Sequence, residues 1–113
     1  MWGLHYDGCV PSIEQLERLL KVDENDAFVH YALALEHAKA GEGGLGLALE
    51  HFDRCLAIDP GYLYAYYHKA RVLIECGRAG EGEVVLRAGV AKAREARDGK
   101  AMGEMEGLLD SIA

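Results

Sequence analysis

Apolar residues recur along this chain at intervals of three and four, the spacing of one face of an α-helix. No segment alternates apolar and polar positions as a half-buried strand would. Turn and cap signals cut the pattern into six stretches, so the expected fold class is all-α. Pro11-Ser12 with Gln15 three residues later reads as a capping box opening a helix over 12–23. Asn25-Asp26 opens a second helix over 26–40, stopped at Gly41. The glycine-rich run Gly41–Gly46 reads as a loop, and a third helix follows over 45–58, closed by Asp59-Pro60-Gly61. A fourth helix covers 62–76 and stops at Gly77, and a fifth covers 79–97 and stops at Asp98-Gly99. The sixth, 100–112, carries Ala101, Met105, Leu108, Leu109 and Ile112 on one stripe. Residues 1–11, with Trp2 and Tyr6, show no period and read as an irregular arm.

The chain also repeats itself. Leu20-Lys21-Val22-Asp23 returns as Leu56-Ala57-Ile58-Asp59 at a step of thirty-six, with Leu16 and Leu19 matched by Phe52 and Cys55. Phe28, Tyr31, Leu33, Ala34 and Gly41 recur at the same step as Tyr64, Tyr67, Lys69, Ala70 and Gly77. Beyond Gly77 the step falls to thirty-four: Ala48, Phe52 and Cys55 correspond to Gly82, Leu86 and Gly89. The two surplus residues of the first unit are expected in the loop Gly41–Gly46, because turns absorb length changes. Ala34, Ala70, Ala48, Gly82, Cys55 and Gly89 are small residues where paired helices must approach closely. Phe52 and Leu86 are the knobs beside them, and Lys69 is expected to lay its stem on apolar surface with its ammonium in water.

Helix pairs of 34 residues, with a small residue four before an aromatic and then Asp-Pro closing the pair, resemble the tetratricopeptide repeat. The family's pattern slots hold His30, Leu33, Ala34, His37, Ala48, Phe52 and Pro60 in the first full repeat. In the second they hold Tyr66, Lys69, Ala70, Leu73, Gly82, Leu86 and Arg94. The resemblance implies a short right-handed solenoid: a half-repeat at 12–24, repeats at 25–60 and 61–97, and a capping helix at 98–112. It also implies that the first helix of each pair lines a concave groove. Phe28, Tyr31, Leu35, Ala38 and Lys39 would face that groove from one helix, and Tyr64, Tyr67, Arg71, Ile74 and Glu75 from the other. Aromatic residues and arginine are the side chains on which binding hot spots are built. Some of these rings could instead pack against the sixth helix or the arm, and the arm itself could occupy the groove.

The expected function is therefore a non-catalytic protein–protein interaction module that takes an apolar or aromatic segment of a partner protein. Some tetratricopeptide proteins hold a C-terminal carboxylate with lysine, arginine and asparagine. Here the only asparagine is Asn25, in a turn, so that ligand is not expected. The second hypothesis is a structural domain that self-associates through its exposed ends, and monomer or weak homo-oligomer both stay open.

Composition narrows the partners. The 113 residues fit one domain, and the formal net charge is −7. Residues 1–60 hold 4 basic and 11 acidic side chains, whereas 61–113 hold 8 of each. That balance argues against gripping nucleic-acid phosphates or anionic lipid. The longest stretches free of charged residues are nine long, where a membrane span needs about twenty. No signal peptide is read at the start, since the first basic residue is Arg18. Cys9, Cys55 and Cys76 form no CxxC pair and read as free thiols in a reducing compartment, the cytoplasm by default.

No catalytic, cofactor or metal set emerges. Gly41-Glu42-Gly43-Gly44-Leu45-Gly46 follows no strand and precedes no phosphate-binding lysine. His30 and His37 are two helical turns apart, about 10 Å, too far to share a metal, and His51 and His68 are expected elsewhere. The basic run Arg87, Lys92, Arg94, Arg97 and Lys100 suits a helix C-terminus. Gly103 and Gly107, four apart on the last helix, leave a flat face that another helix could approach.

Overall fold

A computed structural model describes residues 11–112, and all of their regular structure is helical. The helices are α1 (Ile13–Val22), α2 (Ala27–Lys39), α3 (Glu42–Ile58), α4 (Leu63–Glu75), α5 (Ala79–Glu95) and α6 (Gly99–Ile112). The arm at 1–10, with Cys9, lies outside the described residues. α1 opens on the capping box: Ser12 Oγ accepts from the Gln15 backbone N–H, and the Ser12 N–H donates back to Gln15 Oε1 at 2.8 Å. Asp26 caps α2 by accepting from the Val29 N–H at 3.2 Å. Gly41 and Gly77 leave α2 and α4 at φ +89° and +79°, a region costly for any residue with a Cβ.

The glycine run after Gly41 is helix, not loop. Gly43, Gly44 and Gly46 all lie within α3. A Cβ on Gly44 would run into the carbonyl oxygen of His37, so glycine is what lets the first turn of α3 pack against the end of α2. The surplus of the first unit therefore lies in the early start of α3, which begins six residues before Ala48 where α5 begins three before Gly82.

Packing follows chain order. The most extensive contacts join α2 to α3 and α4 to α5, while α2, α4 and α6 lie side by side in one layer. Three buried clusters hold this together. Leu16 of α1 meets Val29 and Leu33; Ala34, Ala48, Phe52, Cys55, Ala65 and Val72 fill the middle; Tyr66, Ala70, Leu86, Val90, Ala93, Ala101 and Met105 fill the far end. The small residues sit where helices touch. A Cβ on Gly89 would lie 2.5 Å from Met105 Sδ and 2.7 Å from Tyr66 Cβ, and one on Gly82 would lie 3.2 Å from the Ala70 carbonyl oxygen. Lys69 does snorkel, its Nζ reaching Asp53 Oδ1 at 2.6 Å. Gly103 and Gly107 have open space around them, so among the described residues no contact requires glycine at either position.

Candidate functional site

α2 is apolar on nearly every side because it is wedged between α1, α3 and α4. α4 stands in turn between α2 and α6. Between α2 and α4 runs a cleft of about 370 Å³. Leu35 and Ala38 of α2, Phe52 of α3 and Val72 of α4 give it apolar walls and floor. Lys39, His68, Arg71 and Glu75 supply its polar groups. This mixture, an apolar floor with a few polar groups placed around it, is the usual make-up of a ligand site.

The groove residues read from the sequence divide into three groups. Leu35, Ala38, Lys39, Arg71 and Glu75 line the cleft. Lys39 Nζ pairs with Glu36 Oε2 at 2.9 Å, and the Arg71 guanidinium lies over the Tyr67 ring, 6.0 Å from its centroid. Tyr31, Tyr64 and Tyr67 are half-buried beside the cleft. The Tyr31 ring packs on Tyr62 at 4.8 Å and meets Phe52 edge-on at 6.3 Å, and burial raises the pKa of its phenol above the usual value. Tyr64 and Tyr67 turn toward α6, and the Tyr64 hydroxyl donates to Glu104 Oε1 at 3.2 Å. Phe28 and Ile74 stand apart from the cleft. Phe28 is 60% exposed in the first turn of α2. Ile74 faces α5, where its Cγ1 would be 3.2 Å from a Cβ on Gly82.

The residue that links the site is one the sequence reading placed elsewhere. His68 lies between Tyr31, at 5.9 Å, and Tyr67, at 5.1 Å and perpendicular. With Tyr64 edge-on to Tyr67 at 6.4 Å, four rings run in series along the layer. His68 falls four residues after Tyr64 and three before Arg71, so the helical spacing did mark it. Burial first, then the neighbouring Arg71, lowers the His68 pKa below the usual histidine value. Its ring is therefore neutral at pH 7 and offers one donor and one acceptor.

His51 also departs from expectation. It joins His30 and His37 instead of lying away from them: its Nδ1 is 3.0 Å from His30 Nδ1, and its ring stacks on His37 at 5.5 Å and 3°. Among the described residues no group of three or more histidine, cysteine or acidic side chains is arranged to hold a metal ion. Burial pushes the Cys55 thiol up to about 12, which leaves it protonated and a poor nucleophile at neutral pH. Among the described residues no helix is long and apolar enough to cross a membrane.

Comparison with known proteins agrees with this architecture. A family model described as tetratricopeptide repeat matches residues 39–102, more than half of the chain. The chain is a tetratricopeptide repeat protein. It is similar to a tetratricopeptide repeat domain protein of Salinibacter ruber, known from a crystal structure and a solution structure. The crystal structure gives 29% identity and a TM-score of 0.69, covering 76% of this chain and 93% of the other. The solution structure gives 29% identity and a TM-score of 0.72, covering 79% and 88%. The type III secretion translocator chaperone SycD of Yersinia enterocolitica shares the fold at 17% identity. Its TM-score is 0.79, covering 88% of this chain and 68% of that one. No curated protein sequence matches the chain significantly. Tetratricopeptide domains generally mediate protein–protein interaction and are typically non-enzymatic, which agrees with a site made of apolar walls and aromatic rings.

Proposed function

We propose that this tetratricopeptide protein holds an apolar or aromatic segment of a partner protein in the cleft between α2 and α4. We take it to consist of a half-repeat, two full repeats and a capping helix, working in a reducing compartment such as the cytoplasm. The observation that carries the reading is the cleft itself: a floor of Leu35, Ala38, Phe52 and Val72, beside a series of four rings. An apolar side chain entering it leaves water for an apolar surface, at roughly 1.5–3 kcal/mol for a large residue. Lys39, Arg71 and the neutral His68 supply polar contacts that fix orientation. SycD, described as a translocator chaperone, is a protein of this fold whose described role is to attend another protein.

The experiment is peptide selection from a random library, run against the wild type and against Leu35→Asp. Selected peptides should carry aromatic or large aliphatic residues and should lose at least tenfold in affinity for the variant while its helicity is retained. Equal binding to both proteins would reject the cleft. Self-association is the second reading, favoured by Leu19 and Val22, which stand 49% and 87% exposed on one flank of α1. Light scattering that reports a monomer at every concentration up to the millimolar range removes it.

A further inference from the structure

His30 of α2 and His51 of α3 lie outside the cleft and line a separate hollow, together with residues of α1 and of the α1–α2 turn. His30 is 3% exposed. Its Nε2 is 2.9 Å from the Glu24 carbonyl oxygen, and its Nδ1 is 3.0 Å from His51 Nδ1. A carbonyl oxygen only accepts, so His30 Nε2 carries a proton. In a neutral His30 ring Nδ1 is then the acceptor, and His51 donates through Nδ1–H. The pair can take up one more proton without breaking, on His51 Nε2. A second would have to go onto His30 Nδ1, where it would face the His51 Nδ1–H head-on across 3.0 Å with both rings cationic.

We propose that the His30–His51 pair is a one-proton latch: it holds α2 against α3 while the two rings carry at most one extra proton, and acid opens it by forcing a second. The charged groups around it do not cancel this constraint. Lys21 of α1 and Arg54 of α3 resist added positive charge, Glu24 of the α1–α2 turn and Glu50 of α3 favour it, and His37 lies flat on His51 as a further competitor for charge. With two cations opposing two anions, repulsion within the pair decides. Burial, then His30 and His37, lower the His51 pKa, in the same direction.

Once α2 parts from α3, no contact bars the second proton, and an unconstrained imidazole takes one up near pH ~6.5. The opened form then holds at least one proton more than the latched form below that pH, and its population grows as pH falls. Relative to neutral or alkaline conditions, one excluded proton makes opening about thirtyfold more favourable at pH 5.0. Because α2 and α3 carry Leu35, Ala38 and Phe52, an open latch also dismantles the cleft. That consequence rests on the proposed function, whereas the latch does not.

Hydrogen exchange without any ligand tests it. Protection factors of α2 and α3 amides should fall about thirtyfold between pH 7.5 and pH 5.0, beyond any change in α4 and α5. In His51→Gln the amide can donate to a neutral His30 Nδ1 or accept from a protonated one, so the regional fall should shrink below threefold. The double variant His30→Tyr with His51→Val, which copies Tyr66 and Val85 of the second unit, should behave alike and stands in if the single variant does not fold. A fall of equal size in wild type and variants, or one spread evenly over both helix pairs, would overturn the latch.

Discussion

The buried slot that holds His30 in α2 holds Tyr66 in α4, thirty-six residues on, and each side chain donates to a carbonyl of the turn before its own helix. His30 Nε2 reaches Glu24 at 2.9 Å, and the Tyr66 hydroxyl reaches Pro60 at 2.6 Å. The two acceptors are themselves thirty-six residues apart, so the repeat conserves a hydrogen bond and not a residue. The difference lies in what each ring leaves over. A tyrosine ring has no further polar atom, and Val85 stands thirty-four residues after His51, where α4 and α5 need no partner for it. An imidazole has a second nitrogen, which in a buried slot must be paired. His51 supplies that pair, so two histidines twenty-one residues apart form one structural unit. The first helix pair has thereby acquired a titratable interface, and the second has not.

The two helix pairs differ most in steric room. Gly89→Val places a branched side chain where even a Cβ is 2.5 Å from Met105 Sδ. It should cost about 3 kcal/mol in urea unfolding. Cys55→Val, in the equivalent slot of the first pair, should cost about 1 kcal/mol because that slot already accommodates a thiol. Equal losses would mean the two slots are not equivalent in the way described.

Deleting the paired donors comes next. His30→Phe leaves both the Glu24 carbonyl and His51 Nδ1 without a partner, and should cost about 2–3 kcal/mol. Tyr66→Phe strands only the Pro60 carbonyl, and should cost about 1 kcal/mol. If the two losses are the same, the His30–His51 bond contributes nothing.

The pH profile sharpens the same contrast. His51 and His68 both have folded-state pKa values below the usual one. The unfolded chain therefore binds more protons than the folded one below about pH 6.5. Stability is full above that pH and declines as pH falls through it. Burial raises the Tyr66 pKa, so its bond to Pro60 stays intact across this range. His51→Gln should remove most of the acid sensitivity and leave the part due to His68. A curve unchanged by that substitution would assign the sensitivity to His68 instead.

One substitution should stabilise the fold slightly. Gly103 is exposed and helical with open space where a Cβ would go. Gly103→Ala should therefore stabilise α6 by about 0.5–1 kcal/mol, read from the thermal midpoint. A loss there would show that α6 needs glycine at this position.

Local signals carried most of the fold. Caps at Ser12 and Asp26, stops at Gly41 and Gly77, and the thirty-six and thirty-four steps are short-range facts of the chain, and the helices follow them. The glycine run after Gly41 misled because intrinsic propensity speaks against helix there. What makes it helical is tertiary, the close approach of Gly44 to the His37 carbonyl. The cleft was legible in part for the same kind of reason. Spacing marked Leu35, Lys39, Arg71 and Glu75. The stripe that α4 turns to the cleft is His68, Arg71, Val72 and Glu75, rotated away from Tyr64, Tyr67 and Ile74, because α4 serves α2 on one flank and α5 and α6 on the other. Phe52 reaches the cleft floor from a different helix, and His51 meets His30 across a helix pair. Neither meeting leaves a trace in one-dimensional spacing.

We propose the α2–α4 cleft as the binding surface. The direct measurement is a titration of a library-selected peptide into isotope-labelled protein, following backbone amide shifts. Shifts concentrated at Leu35, Ala38, Lys39, His68, Arg71 and Val72, with little change at Lys21, Glu50 and Arg54 on the far side, are the predicted result. Shifts centred on α1 and α3, with the cleft residues unmoved, would contradict it.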